Sequence, residues 1–139
     1  MTSTATSTVL VTRPNRHAQA QAKTIAFASI ARGAVGLLAP QVVQSAFGIP
    51  GSPARIRACA LADLGAGLSI LASPEPARTV WARTAADAVG VATVLPALGR
   101  DNPKRAAAGA ALLFLAATTA FHAKVALHGD TEDVHEEIR

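Results

Sequence analysis

The run RACALADLGAGLSILA, from Arg57 to Ala72, constrains the fold more than any other stretch, because it is apolar and spaced by glycines yet carries one carboxylate, Asp63, six positions in. It reads as a helix of membrane type, and a charge at that depth in such a helix costs about 2.5–3.5 kcal/mol unless it is turned inward to a partner. The fold must therefore supply that partner.

Three other apolar runs share this character. KTIAFASIARGAVGLLA has Arg32 near its middle, RTVWARTAADAVGVATVL holds Asp87, and KRAAAGAALLFLAATTAFHAKVALHG is the most hydrophobic of all. Hydrophobic residues make up 50% of the chain and charged ones 16%, against roughly 25% charged in ordinary soluble domains. The apolar content is mostly Ala, Val and Leu with 10 Gly, a mixture that favours close helix–helix approach. The reading is an all-α, antiparallel four-helix transmembrane bundle of one domain over 18–129, with helices at about 18–39, 57–72, 77–95 and 104–128. Residues 1–17, rich in Ser and Thr, are expected to be a disordered tail, and 130–139 an acidic hydrophilic one. Pro40 suits the end of the first helix, Gly48, Pro50, Gly51, Ser52 and Pro53 make a turn-rich loop in which VVQSAF lies at the interface, and Ser73 to Pro76 is short enough to make its two flanking helices neighbours. The rival is a water-soluble Ala-rich bundle, to which the charges within the runs and a mean hydropathy of only +0.32 belong more naturally.

The net charge of +4 sits almost wholly at the ends of the apolar runs, as membrane-edge charge does. There is no continuous basic stripe and no aromatic interleaving, so nucleic acid is not an expected partner. Four spans bring both termini to one face. That face has seven Lys and Arg against five on the other, leaving Arg32 unassigned, which leans towards a multi-pass protein of the cell membrane with cytoplasmic termini. A single cysteine, Cys59, excludes an internal disulfide and a cysteine zinc cluster, and it reads as a small apolar residue. No phosphate loop, nucleophile elbow or two-histidine zinc helix occurs. No cofactor or metal is called for, and His128 and His135 among their acids read as tail.

Arg32 lies eight positions before Pro40, Asp63 six after Arg57 and Asp87 nine before Pro96. At about 1.5 Å per residue these are depths of roughly 9–14 Å from one face, so the three charges fall in one layer and are expected to meet. One positive group against two negative ones leaves two solutions open: one aspartate keeps its proton, or Arg83, four residues before Asp87, closes a second ion pair. Asp63 and Asp87 are the candidate acid and base, with Arg32 as carboxylate partner or charge stabiliser. Gly36, Arg57, Gly67, Arg83 and Gly90 are the candidate lining of a site beside them. His122, seventeen positions past Arg105, is expected at the interface, away from the charge layer.

The pattern ARGAVGLLAP, a Gly-Ile-Pro turn, RACALADLGAGLSIL and AADAVGVATVLP resembles a family of small uncharacterised four-helix integral membrane proteins of high-GC bacteria. The likeness covers most of Ile30 to Leu127, and Arg32, Gly36, Arg57, Asp63 and Asp87 stand at its motif positions. This chain departs from the usual Arg-Asp by having Ala62-Asp63. The resemblance implies a membrane location and no activity. With the polar layer it leaves three readings: an acid/base isomerase or cyclase of a terpenoid, polyketide or lipid that enters from the bilayer, a non-catalytic subunit packing against a membrane partner protein, and a small proton-coupled exporter assembled as a homo-oligomer. The expected partners are the lipid bilayer and a lipophilic small molecule.

Overall fold

Proline sets the boundaries of the helices. The computed structural model describes residues 11–13, 15–128 and 132–134, and its packed body is helical: α1 (Arg16–Leu38), α2 (Pro40–Phe47), α3 (Pro53–Ala72), α4 (Pro76–Val94) and α5 (Arg105–His128), with a 3-10 turn at Leu95–Leu98 after α4. Pro40, Pro53 and Pro76 each occupy the first position of a helix, where a missing N–H costs nothing and a fixed φ is already helical. Asn15 caps α1, its Oδ1 accepting from the backbone N–H of His17 at 2.9 Å and of Ala18 at 3.2 Å. The tails expected at 1–17 and 130–139 lie largely outside the described residues. Within them, Val11–Arg13 and Glu132–Val134 pair as short antiparallel strands.

The helix count corrects the four expected. Residues 40–47, read as part of a loop, form a fifth helix that leaves α1 at a 95° bend. Pro40 does end α1, since it disfavours helical geometry at Ala39 (φ −132°, ψ 52°), but it also opens the next helix. Gly48 closes that helix in the left-handed conformation (φ 61°).

Small residues bring α1 against α3. A Cβ added at Gly33 would stand 2.6 Å from Leu64 Cγ, one at Gly36 2.7 Å from Ala60 Cβ, and one at Gly67 2.8 Å from both the Ala26 carbonyl oxygen and Ile30 Cγ1. Contacts rising along α1 fall along α3. The seam has no room for a side chain at these three positions, so the two backbones are set by their absence.

Side-chain size is distributed with the small residues inside. Of the eighteen buried hydrophobic residues among those described, ten are Ala and one, Leu115, is Leu, while Phe27, Leu38, Leu68, Leu113, Phe114 and Phe121 are among fifteen described large hydrophobics left exposed. By length and composition α5 is the one helix among the described residues able to cross a bilayer alone, and 22% of its apolar window is buried; α1 and α2 pass the same test only as a bent pair. Two buried apolar clusters result. One gathers Ala22, Ile25, Ile70, Val80 and Val125, the other Ile56, Val94, Ala97, Ala108 and Leu115.

Two glycines on α3 make the seam testable. Gly67→Ala forces the Ala26 carbonyl away and should lower stability by about 1–3 kcal/mol. Gly65→Ala meets nothing within 4 Å and should raise it by up to about 1 kcal/mol through helix propensity. Thermal unfolding of the two purified variants reads the difference, and equal effects would disprove the close seam.

Candidate functional site

Between the two apolar clusters each long helix contributes a polar group to one network. Arg32 of α1 donates from Nε to Asp63 Oδ2 at 2.6 Å and from Nη2 to Asp63 Oδ1 at 2.8 Å, a two-pronged pair, and its Nη2 also reaches Asp87 Oδ1 at 3.4 Å. Arg83 of α4 donates from Nη1 to Asp63 Oδ1 at 2.5 Å and from Nη2 to Asp87 Oδ1. From α5, Thr119 Oγ1 has its single proton between the Leu115 carbonyl at 2.7 Å and Asp87 Oδ2 at 3.1 Å, and His122 Nδ1 lies 2.8 Å from the same carboxylate oxygen. Asp87, ion-paired to two guanidiniums, is an acceptor only, so His122 carries its proton on Nδ1.

Arg32, Asp63 and Asp87 thus meet as their shared depth implied, and Arg83 is the fourth charge. Of the two ways to balance two carboxylates in that layer, the second ion pair is the one adopted. Two guanidiniums and two carboxylates neutralise one another, with Arg83 1% and Asp87 0% exposed. Such a network stabilises little relative to apolar packing, but losing one member strands a buried charge at a cost of about 3–5 kcal/mol.

His122 corrects the expectation that it lies at the interface. Counting Asp87 from Pro96 assumed that the helix stops there, whereas the chain continues helically through Pro96 as the turn Leu95–Leu98. The register is read from side chains: Leu98 lies against Gly109, Gly90 against Leu115 and Asp87 against Thr119. His122 stands three residues beyond Thr119, on the same face of α5. Thr119 and His122 at that spacing in an apolar helix were the available signal.

Beside the network lies a cavity of about 500 Å³, within the range of small-molecule sites. Arg32 and Asp63 line it, and Cys59 and Thr93 are its other polar side chains. Gly36 and Gly90 line it too. The remaining walls are Ile49, Ile56, Ala60, Val94, Ala111 and Leu115. Val43 and Phe47, from the unexpected helix α2, also line it. Val35 of α1 and Phe114 of α5 line it while 55% and 63% exposed, so they form the rim of its mouth.

Three of the expected lining residues lie elsewhere. Arg57 is exposed and outside the lining. Gly67 is spent on the α1–α3 seam, and Arg83 serves the ion network behind the cavity. α2 is held over the cavity from outside, by Asn102 Nδ2 donating to the carbonyls of Phe47 (3.3 Å) and Ala97 (2.6 Å) and by Lys104 Nζ donating to that of Ser45. Among the described residues no group of three His, Cys, Asp or Glu side chains is placed to hold a metal ion.

Comparison with protein-family models, with curated proteins and with solved structures finds no match.

The ion network predicts a compensating pair. Arg83→Met leaves two carboxylates facing one guanidinium and should cost about 3–5 kcal/mol of stability. Adding Asp87→Leu removes the stranded charge and should recover most of that loss. A double variant no more stable than the sum of its parts, measured by denaturant or thermal unfolding, would show that the two residues are not partners.

Proposed function

We propose that this chain is a membrane-embedded binding protein for a lipophilic small molecule, which enters the cavity sideways from the bilayer between Val35 and Phe114. The observation that carries this reading is the cavity itself: apolar walls, a polar floor at Arg32 and Asp63, and a mouth rimmed by exposed apolar side chains.

A bilayer setting is supported by the placement of large residues outside and small ones inside. A surface of Phe, Leu and Val wrapped around an interior of Ala and Gly inverts what water selects, but suits lipid, where close helix approach rather than hydrophobic burial drives association. α3 and α4 are 20 and 19 residues long, enough for about 30 Å of rise each. What sets them apart from ordinary spans is Asp63, Arg83 and Asp87 in their interiors, whose charges balance only with Arg32 of α1, together with Arg55, Arg57 and Arg78 nearer their first turns. On this reading α1, α3, α4 and α5 cross as antiparallel neighbours, and α2 lies across one end.

The same geometry favours binding over acid–base chemistry. Each carboxylate accepts from both guanidiniums, so neither Asp63 nor Asp87 is free to give or take a proton without breaking the network. An isomerase or cyclase, which needs one poised carboxyl, has less support than a site whose charges act as struts.

Filling the cavity tests the reading. The protein should remain with the membrane fraction after alkaline carbonate washing and, gently extracted, carry one lipophilic adduct per protomer by native mass spectrometry. Ala111→Phe, which occupies the cavity from α5, should weaken retention about tenfold or more. Recovery in the aqueous fraction, or unchanged retention by the variant, would overturn it.

A further inference from the structure

Resting on the cavity's being a lipophile site, a chemical class for its occupant follows from which hydrogen-bond donors at its floor are already spent. Arg32 uses Nε and Nη2 on Asp63 and Asp87. Its Nη1, with two further N–H donors, has no acceptor among the described residues. Its side chain is 36% exposed where Asp63 is 4%. Arg32 is therefore the charged member of the network that remains open where the network meets the cavity. The other polar groups there are committed or weak: Asp63 accepts three bonds from guanidiniums, Thr93 Oγ1 donates to the Val89 carbonyl at 2.8 Å, and the Cys59 thiol is a poor donor.

Charge balance narrows the class further. Two guanidiniums already meet two carboxylates, so an anionic headgroup would bring unbalanced charge between apolar walls, and a cationic one would face a guanidinium. An uncharged carbonyl oxygen avoids both costs. It has lone pairs for the Nη1 donors and no donor of its own needing a partner.

We propose that the cavity selects neutral lipophiles with a terminal carbonyl group, long-chain ketones being the simplest, and that Arg32 Nη1 donates the hydrogen bond that holds the carbonyl oxygen.

The test uses the full chain in lipid nanodiscs and four probes of equal chain length: a methyl ketone, the n-alkane, the fatty carboxylate and the alkyltrimethylammonium. The ketone should bind at least about tenfold tighter than each of the others, as expected for a hydrogen bond to a charged donor, and its infrared carbonyl stretch should fall on binding. Arg32→Lys, which keeps the charge and can still pair with Asp63, should lose that spectral shift. Equal binding of ketone and alkane, or a carbonyl band that does not move, would overturn the inference and leave the lipophile site standing. Tighter binding of the carboxylate or the ammonium would overturn the assigned class. If none of the probes binds, the lipophile site itself fails. Should Arg32→Lys not fold, the ranking of the four probes and the carbonyl band on the unsubstituted protein decide the matter alone.

Discussion

Arg83 is the largest fully buried side chain described, and the arrangement of the helices depends on its fork. One side of the guanidinium takes Asp63 from α3, the other takes Asp87 from its own helix. Asp63 in turn holds Arg32 of α1, and Asp87 holds Thr119 and His122 of α5. Four helices are thereby fixed in rotation and in height by one layer of charge-assisted bonds, whose directional geometry allows far fewer arrangements than Ala and Gly faces, which pack tolerably in several registers. The order along each chain segment agrees: on α3 the polar residue lies between Ile56 of one apolar cluster and Ile70 of the other, and on α5 Thr119 and His122 lie between Leu115 and Val125.

The cavity is a consequence of how unevenly the small residues are spread. Glycines at 33, 36 and 67 draw α1 and α3 together until backbone meets side chain, whereas a Cβ at Gly90 would find its nearest neighbour, Leu115, only at 3.6 Å. Space left on the α4–α5 side is lined by α2, whose Val43 and Phe47 reach over it. The polar layer and the cavity share one boundary, the Arg32–Asp63 pair, and that pair is both a structural tie and, among the described residues, the charged surface the cavity presents.

Much of this was legible in the sequence because charges in apolar helices are costly and prolines are stiff. Arg32, Asp63 and Asp87 could be brought together by counting residues, and Arg83 by its spacing from Asp87. Two parts were not legible, for the same reason: proline was read only as a stop. Pro40 begins a helix as well as ending one, so α2 and the cavity wall it supplies went unseen. Pro96 is carried within a 3-10 turn, which moved α4 relative to α5 and hid the meeting of His122 with Asp87. The cavity itself depends on distances between helix axes, which no single helix encodes. Gly36 and Gly67 look alike as sequence and both sit in the α1–α3 seam, yet only Gly36 also lines the cavity.

Asn102 ties parts of the molecule that the charge layer does not reach. Its amide nitrogen holds the last carbonyl of α2 and one from the turn after α4, and its amide group fills the space that a Cβ on Gly48 would need. The roof over the cavity is therefore latched to the connection between the last two helices, on the opposite side of the cavity from the polar floor. Asn102 and Lys104 together hold α2 in place, so the loop from Gly99 to Lys104 sets the position of one cavity wall while the buried ions set the order of the helices.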